Sequence, residues 1–175
     1  MKTFALAAVA ALALAGCSST GQPPSDPVVS SAPFDAAAAA FIKKPGTGTI
    51  QGHAFLKTPS GEIKHAGGEL VRLVPVTAYS RNRFAQLYLG RKFVAAGSIP
   101  NVAPDPKYAE YTRTTKAEST GRFLFEGVAP GSYYVATQNF WRKDGEISQQ
   151  GGAFYEMVTV TGKEDGPVKV VVNGQ

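Results

Sequence analysis

The chain has 175 residues, with 18 lysines and arginines against 13 acids and a formal charge of +5. That length fits one domain with a leader and a spacer, and the modest basic excess points to anionic lipid, lipopolysaccharide phosphates or acidic glycans rather than nucleic acid. The single cysteine, Cys17, leaves no partner for an intramolecular disulfide.

Lys2 precedes an apolar run, Phe4 to Ala15, made mostly of Ala, Leu and Val. The run falls short of the roughly 20 apolar residues of a membrane-spanning helix and matches a signal-peptide core of about 7 to 15. Leu14-Ala15-Gly16-Cys17 then resembles a bacterial lipobox. That resemblance implies cleavage before Cys17, a diacylglyceryl group on its thiol and acylation (palmitate or similar) of its amine, so that residues 1–16 are a lipoprotein signal peptide. Two or more acyl chains give stable membrane attachment. Ser18 stands where an aspartate would favour inner-membrane retention, so the resemblance implies a lipid-anchored envelope protein, at the outer membrane in a diderm.

Ser18 to Pro33 is rich in Ser, Pro, Gly and Gln and reads as a spacer, with its prolines holding it extended. Asp35, followed by Ala36 to Ala40, Phe41, Ile42, Lys43, Lys44 and Pro45, predicts a short helix with an acidic N-cap and cations in its last turn. Such a helix is marginal alone, so Phe41 and Ile42 are expected to dock on the domain. Residues 17–45 are therefore the tether and 46–175 the folded domain.

From Gly46 onward, β-branched and aromatic runs alternate with Gly, Pro, Asn and Asp breaks. Strands are predicted over Thr47–Leu56, Glu69–Thr77, Tyr111–Glu118, Arg122–Glu126, Tyr133–Trp141, Ala153–Val160 and Val168–Val172. About seven short strands with turn signals between them predict a mainly β fold: a single antiparallel Greek-key sandwich. Pro75 removes a ladder hydrogen bond and should bulge or end its strand. The stretch from Ser80 to Asp105 is too long for a hairpin loop; Ser80 is expected to cap a helix to about Leu89 with Phe84, Leu87 and Tyr88 on one face.

The block Gly121-Arg122-Phe123-Leu124-Phe125, then Pro130-Gly131, then Tyr133-Tyr134-Val135 resembles the carboxypeptidase regulatory-like, or transthyretin-like, β-sandwich modules. Ile50-Gln51-Gly52-His53-Ala54 and Leu73-Val74-Pro75 are similar to other parts of that family. The resemblance implies a non-catalytic sandwich, and it carries no zinc-peptidase residue onto this chain. The insert Ser80–Asp105 departs from the family's usual short connection.

Two histidines, His53 and His65, without a short-spaced acid or a second cysteine, do not make a zinc site. No nucleophile motif and no phosphate-cradling loop is present. We therefore expect no catalytic residues, no metal, no cofactor and no enzymatic activity. The residues with binding chemistry are Arg81, Arg83, Tyr88, Arg91 and Lys92 in the insert, where cations and aromatics interleave, and Trp141 at a strand end beside Arg142 and Lys143. The preferred reading of the insert is an amphipathic helix whose rings cover the sandwich while its cations face water. The expected function is a membrane-anchored module for contact with an envelope protein, a glycan or lipopolysaccharide. Its alternative is a carbohydrate-binding module using exposed rings such as Trp141 and Tyr88, and a hydrolase accessory subunit or enzyme ranks below both.

Overall fold

The computed structural model describes residues 32–175 and the backbone of Val28–Val29, and Cys17 lies outside the described residues. The elements in order are β1 Val28–Val29, α1 Ala36–Ala39, β2 Gly48–Lys57, β3 Ile63–His65, β4 Leu70–Pro75, α2 Ala78–Tyr88, β5 Phe93–Ala95, β6 Val102–Ala103, β7 Arg113–Lys116, β8 Arg122–Val128, β9 Gly131–Trp141, β10 Gln150–Val160 and β11 Val168–Val172. No described helix is long and apolar enough to cross a membrane.

Two sheets face each other. One runs β5-β10-β9-β4-β7 with every neighbour antiparallel. In the other, β2 pairs antiparallel with β8 and β3 and parallel with β11. The amide of Ala54 donates to Gly121 at 2.8 Å and its carbonyl accepts from Ala66 at 3.0 Å, so β8 and then β3 follow the same edge of β2. Between the sheets lie Ile50, Leu56, Val71, Leu73, Phe123, Phe125, Tyr133, Val135, Phe154 and Val160, all buried. The fold is a mainly β sandwich, and the predicted strands are all present; the short β1, β3, β5 and β6 are additions.

The Gly-x-Phe-x-Phe block does what its alternation requires. Phe123 and Phe125 point into the core while Arg122, Leu124 and Glu126 face out. Gly121 has φ +79°, and a β-carbon there would sit 2.3 Å from the Ala54 carbonyl oxygen, so the turn admits no side chain. Beyond Pro130-Gly131 the Tyr133 hydroxyl is buried and donates to the Ala129 carbonyl at 2.7 Å. Burial pushes that phenol up to about 12.

β9 is buried on both faces over Tyr133–Thr137, whereas the other strands largely alternate. The reason is α2, which lies on the outer face of the five-stranded sheet. Its Phe84 and Tyr88 form a second core cluster with Val74, Val94, Tyr134 and Ala136. Pro75 ends β4, as a residue without an N–H must where the chain leaves the ladder. The cap of α2 is Thr77, a correction to the expected Ser80: the two form a capping box, with Ser80 at the third helical position and its hydroxyl also donating to the Pro75 carbonyl at 2.8 Å.

Upstream, Asp35 caps α1 by accepting from Ala37 at 2.8 Å and Ala38 at 3.2 Å. The helix tightens at once into a 3₁₀ turn, Ala40–Lys43. Ile42 is buried in the main core and Phe41 packs on Tyr133, with ring centroids 5.3 Å apart. This docking is what the sequence predicts for so short a helix.

Candidate functional site

The chain between β4 and β7 folds back over the outer face of the five-stranded sheet. α2 makes one wall of a cleft of about 460 Å³, and the 3₁₀ turn Tyr108–Tyr111 contributes the other. The sheet supplies the floor. Arg72 on β4 is flanked by Thr114 of β7 and Ala136 of β9 as its cross-strand partners. Arg83 and Tyr88 from α2, Tyr108 from the turn and Gln138 from β9 complete the polar and aromatic lining.

Each wall is held in place by contacts of its own. Arg83 Nη1 donates to the Val102 carbonyl at 2.7 Å, and its guanidinium lies 5.4 Å from the centre of the Tyr108 ring. Tyr108 is backed by Tyr79, with ring centroids 5.4 Å apart, and by Phe34 at 6.4 Å. The Tyr79 hydroxyl accepts from the Asp105 amide at 2.6 Å, fixing the loop that leads into the turn. On the helix side Phe84 stacks on Tyr134 at 4.1 Å and meets Tyr155 edge-on at 4.9 Å.

The electrostatics of the cleft are one-sided. Its lining contains two arginines and no aspartate, glutamate or histidine. Neither arginine belongs to an ion pair among the described residues, whose pairs are Lys43–Glu110, Lys64–Glu62, Lys92–Glu156 and Lys143–Glu146. Glu69 stands nearby, where it accepts from the Gln138 amide at 3.4 Å. Burial holds the Tyr88 and Tyr108 hydroxyls far above the usual phenol range, and the neighbouring arginines offset this only in part. Both phenols therefore stay protonated donors at any physiological pH.

Of the residues singled out in the sequence, Arg83 and Tyr88 meet in this cleft and the rest do not. Tyr88 is only 6 % exposed, as expected of a helix whose rings cover the sandwich and against the open ring expected of the carbohydrate-binding alternative; Phe84 and Tyr155 pack on it. Arg81 is exposed and lies beside the Tyr134 hydroxyl. Arg91 is exposed and does not line the cleft, and Lys92 pairs with Glu156 at 2.8 Å. Trp141 is at one end of the sandwich, half-buried, with its indole N–H donating to Gln150 at 3.1 Å. It borders two further clefts of about 460 and 410 Å³. In the first of these, Lys64 and Lys143 are already engaged with Glu62 and Glu146.

Sequence reasoning missed Arg72, Tyr108, Thr114 and Gln138. The signal for Arg72 was present, since alternation in Val71-Arg72-Leu73 turns it away from the core. It also missed the pairing of the two histidines, whose rings stack at 5.1 Å with His53 Nε2 3.1 Å from His65 Nδ1. No group of three or more His, Cys, Asp or Glu suited to a metal ion occurs among the described residues.

A β-sandwich with a helix-walled, arginine-bearing cleft on its outer face is thus the class of molecule that the fold and site define. The chain is similar to a solved structure from Pseudomonas aeruginosa, that of a protein named as a candidate carbohydrate-binding protein. The two share 28 % identity with a TM-score of 0.68, over 80 % of this chain and 97 % of the other. No protein-family model and no curated protein matches the chain.

Proposed function

We propose that this protein is a non-catalytic carbohydrate-binding module whose site is the cleft between α2 and the five-stranded sheet. The observation that carries the reading is the likeness to the Pseudomonas protein along nearly all of that chain. The lining is compatible with a sugar: Tyr108 offers an aromatic surface for C–H groups, while Thr114, Gln138 and Arg72 offer partners for hydroxyls. Glycoside hydrolysis ordinarily requires two carboxyl groups about the scissile bond, and this lining has none, which favours binding over turnover.

The test is affinity for a polysaccharide panel. Thr114→Trp places a ring in the cleft from an exposed strand position and is expected to weaken binding about tenfold or more, the equivalent of one good contact. Trp141→Leu is expected to leave affinity within about twofold. The opposite pattern would move the site to the clefts at Trp141.

The same reading places the module in the carboxypeptidase regulatory-like group, on the strength of the block from Gly121 to Val135, and gives it a lipid anchor on Cys17 in the bacterial envelope. Cys17→Ala is expected to shift the protein from the membrane to the soluble fraction and to remove the acyl mass from its N-terminus. Wild-type protein of unlipidated mass in the soluble fraction would end the anchor proposal and leave the sugar site untouched.

A further inference from the structure

Resting on that reading, we infer that the cleft is built for an acidic glycan and takes the carboxylate of a uronate residue between Arg72 and Arg83. The argument begins with charge. A neutral sugar is usually met by mixed donors and acceptors, because each hydroxyl both gives and accepts a hydrogen bond. The charged groups of this lining are all of one sign: two guanidinium groups stand among threonines, phenols and one amide, and no carboxylate is among them. The Arg72 guanidinium has no hydrogen bond or ion pair among the described residues, although the residue stands between Thr114 and Ala136 in the middle of a sheet face. Arg83 spends one nitrogen on the Val102 carbonyl and lies beside the Tyr108 hydroxyl, and the five N–H donors of a guanidinium leave others for a further acceptor.

Two arginines on a concave, partly apolar surface suit an anion, since a planar guanidinium matches a carboxylate two bonds at a time. Among the described residues Lys43, Lys64, Lys92 and Lys143 each face a glutamate within 4 Å, whereas the cleft gathers two arginines into one lining that holds no acid. Glu69, outside the lining, accepts from the Gln138 amide. It helps to fix that amide in the lining.

The distinguishing experiment uses a matched pair, oligogalacturonate and its methyl ester, together with sulfated and neutral oligosaccharides of similar length. The free acid is expected to bind at least about tenfold tighter than the ester, as removal of a charged hydrogen-bond partner would predict, and the preference should shrink with added salt. Arg72→Gln is expected to abolish the difference between acid and ester while keeping the melting temperature, because Arg72 is exposed and lies outside the core. Equal affinity for acid and ester, or selective binding of neutral or sulfated sugars, overturns the uronate assignment and leaves the carbohydrate reading standing. Failure of every sugar class to bind removes that reading and this one together.

Discussion

Phe84→Ala is expected to lower the unfolding free energy by about 3–5 kcal/mol, measured by urea denaturation. Phe84 is 4 % exposed and touches three rings: Tyr134 at 4.1 Å, Tyr155 at 4.9 Å and Tyr88 at 5.4 Å between centroids. Truncation forfeits the transfer free energy of the ring and leaves a void beneath α2. The rigid sheet below cannot collapse into it, which puts the cost toward the upper end of the range. On the proposed assignment of the cleft the same variant loses glycan affinity as well, since Phe84 also lines the cleft and α2 is its wall. A stability loss below about 1 kcal/mol would mean that the capping box, which contributes on that order, is enough to hold the helix down.

Gly52→Val is expected to cost about 3 kcal/mol by overpacking. Gly52 lies in the middle of β2, directly opposite Phe123 on β8. A β-carbon at that position would lie 1.9 Å from the ring's Cζ, so the ring fills the place of the missing side chain. Phe123 is 4 % exposed and has Phe125 beside it at 6.1 Å, which denies it an easy alternative rotamer. The double variant Gly52→Val/Phe123→Ala is therefore expected to be more stable than the sum of the two single losses by about 1–2 kcal/mol. Additivity within about 0.5 kcal/mol would mean that the ring moves aside and that the close approach is incidental.

The stretches legible in the sequence were those whose local chemistry and tertiary role agree. Gly121, Phe123, Phe125, Pro130 and Tyr133 each do in the fold what their residue type suggests, because turn, alternation and core demand the same thing there. Thr77 and Ser80 illustrate the opposite case. Both are good N-caps three residues apart, and only the position of Pro75 at the end of β4 decides between them. The cleft floor was beyond reach for a different reason. Arg72, Thr114 and Gln138 are distant in the chain and become neighbours only through the strand order β9-β4-β7, which one sequence does not disclose. Tyr88 was legible as part of the helix's apolar face, yet its burial depended on Tyr155, supplied by β10.

The shortest pairing in the molecule bears on how it responds to tension. Val28–Val29 lies parallel to Val102–Ala103, and the Val102 carbonyl is the acceptor that holds Arg83. A pull applied through the residues before Val28 therefore arrives first at the rim of the cleft rather than at the sandwich. Two residues of strand are a weak coupling, and they would part well before the long β9–β10 ladder feels any load. Tension along the tether would thus loosen the Arg83 side of the cleft while the sandwich stays folded.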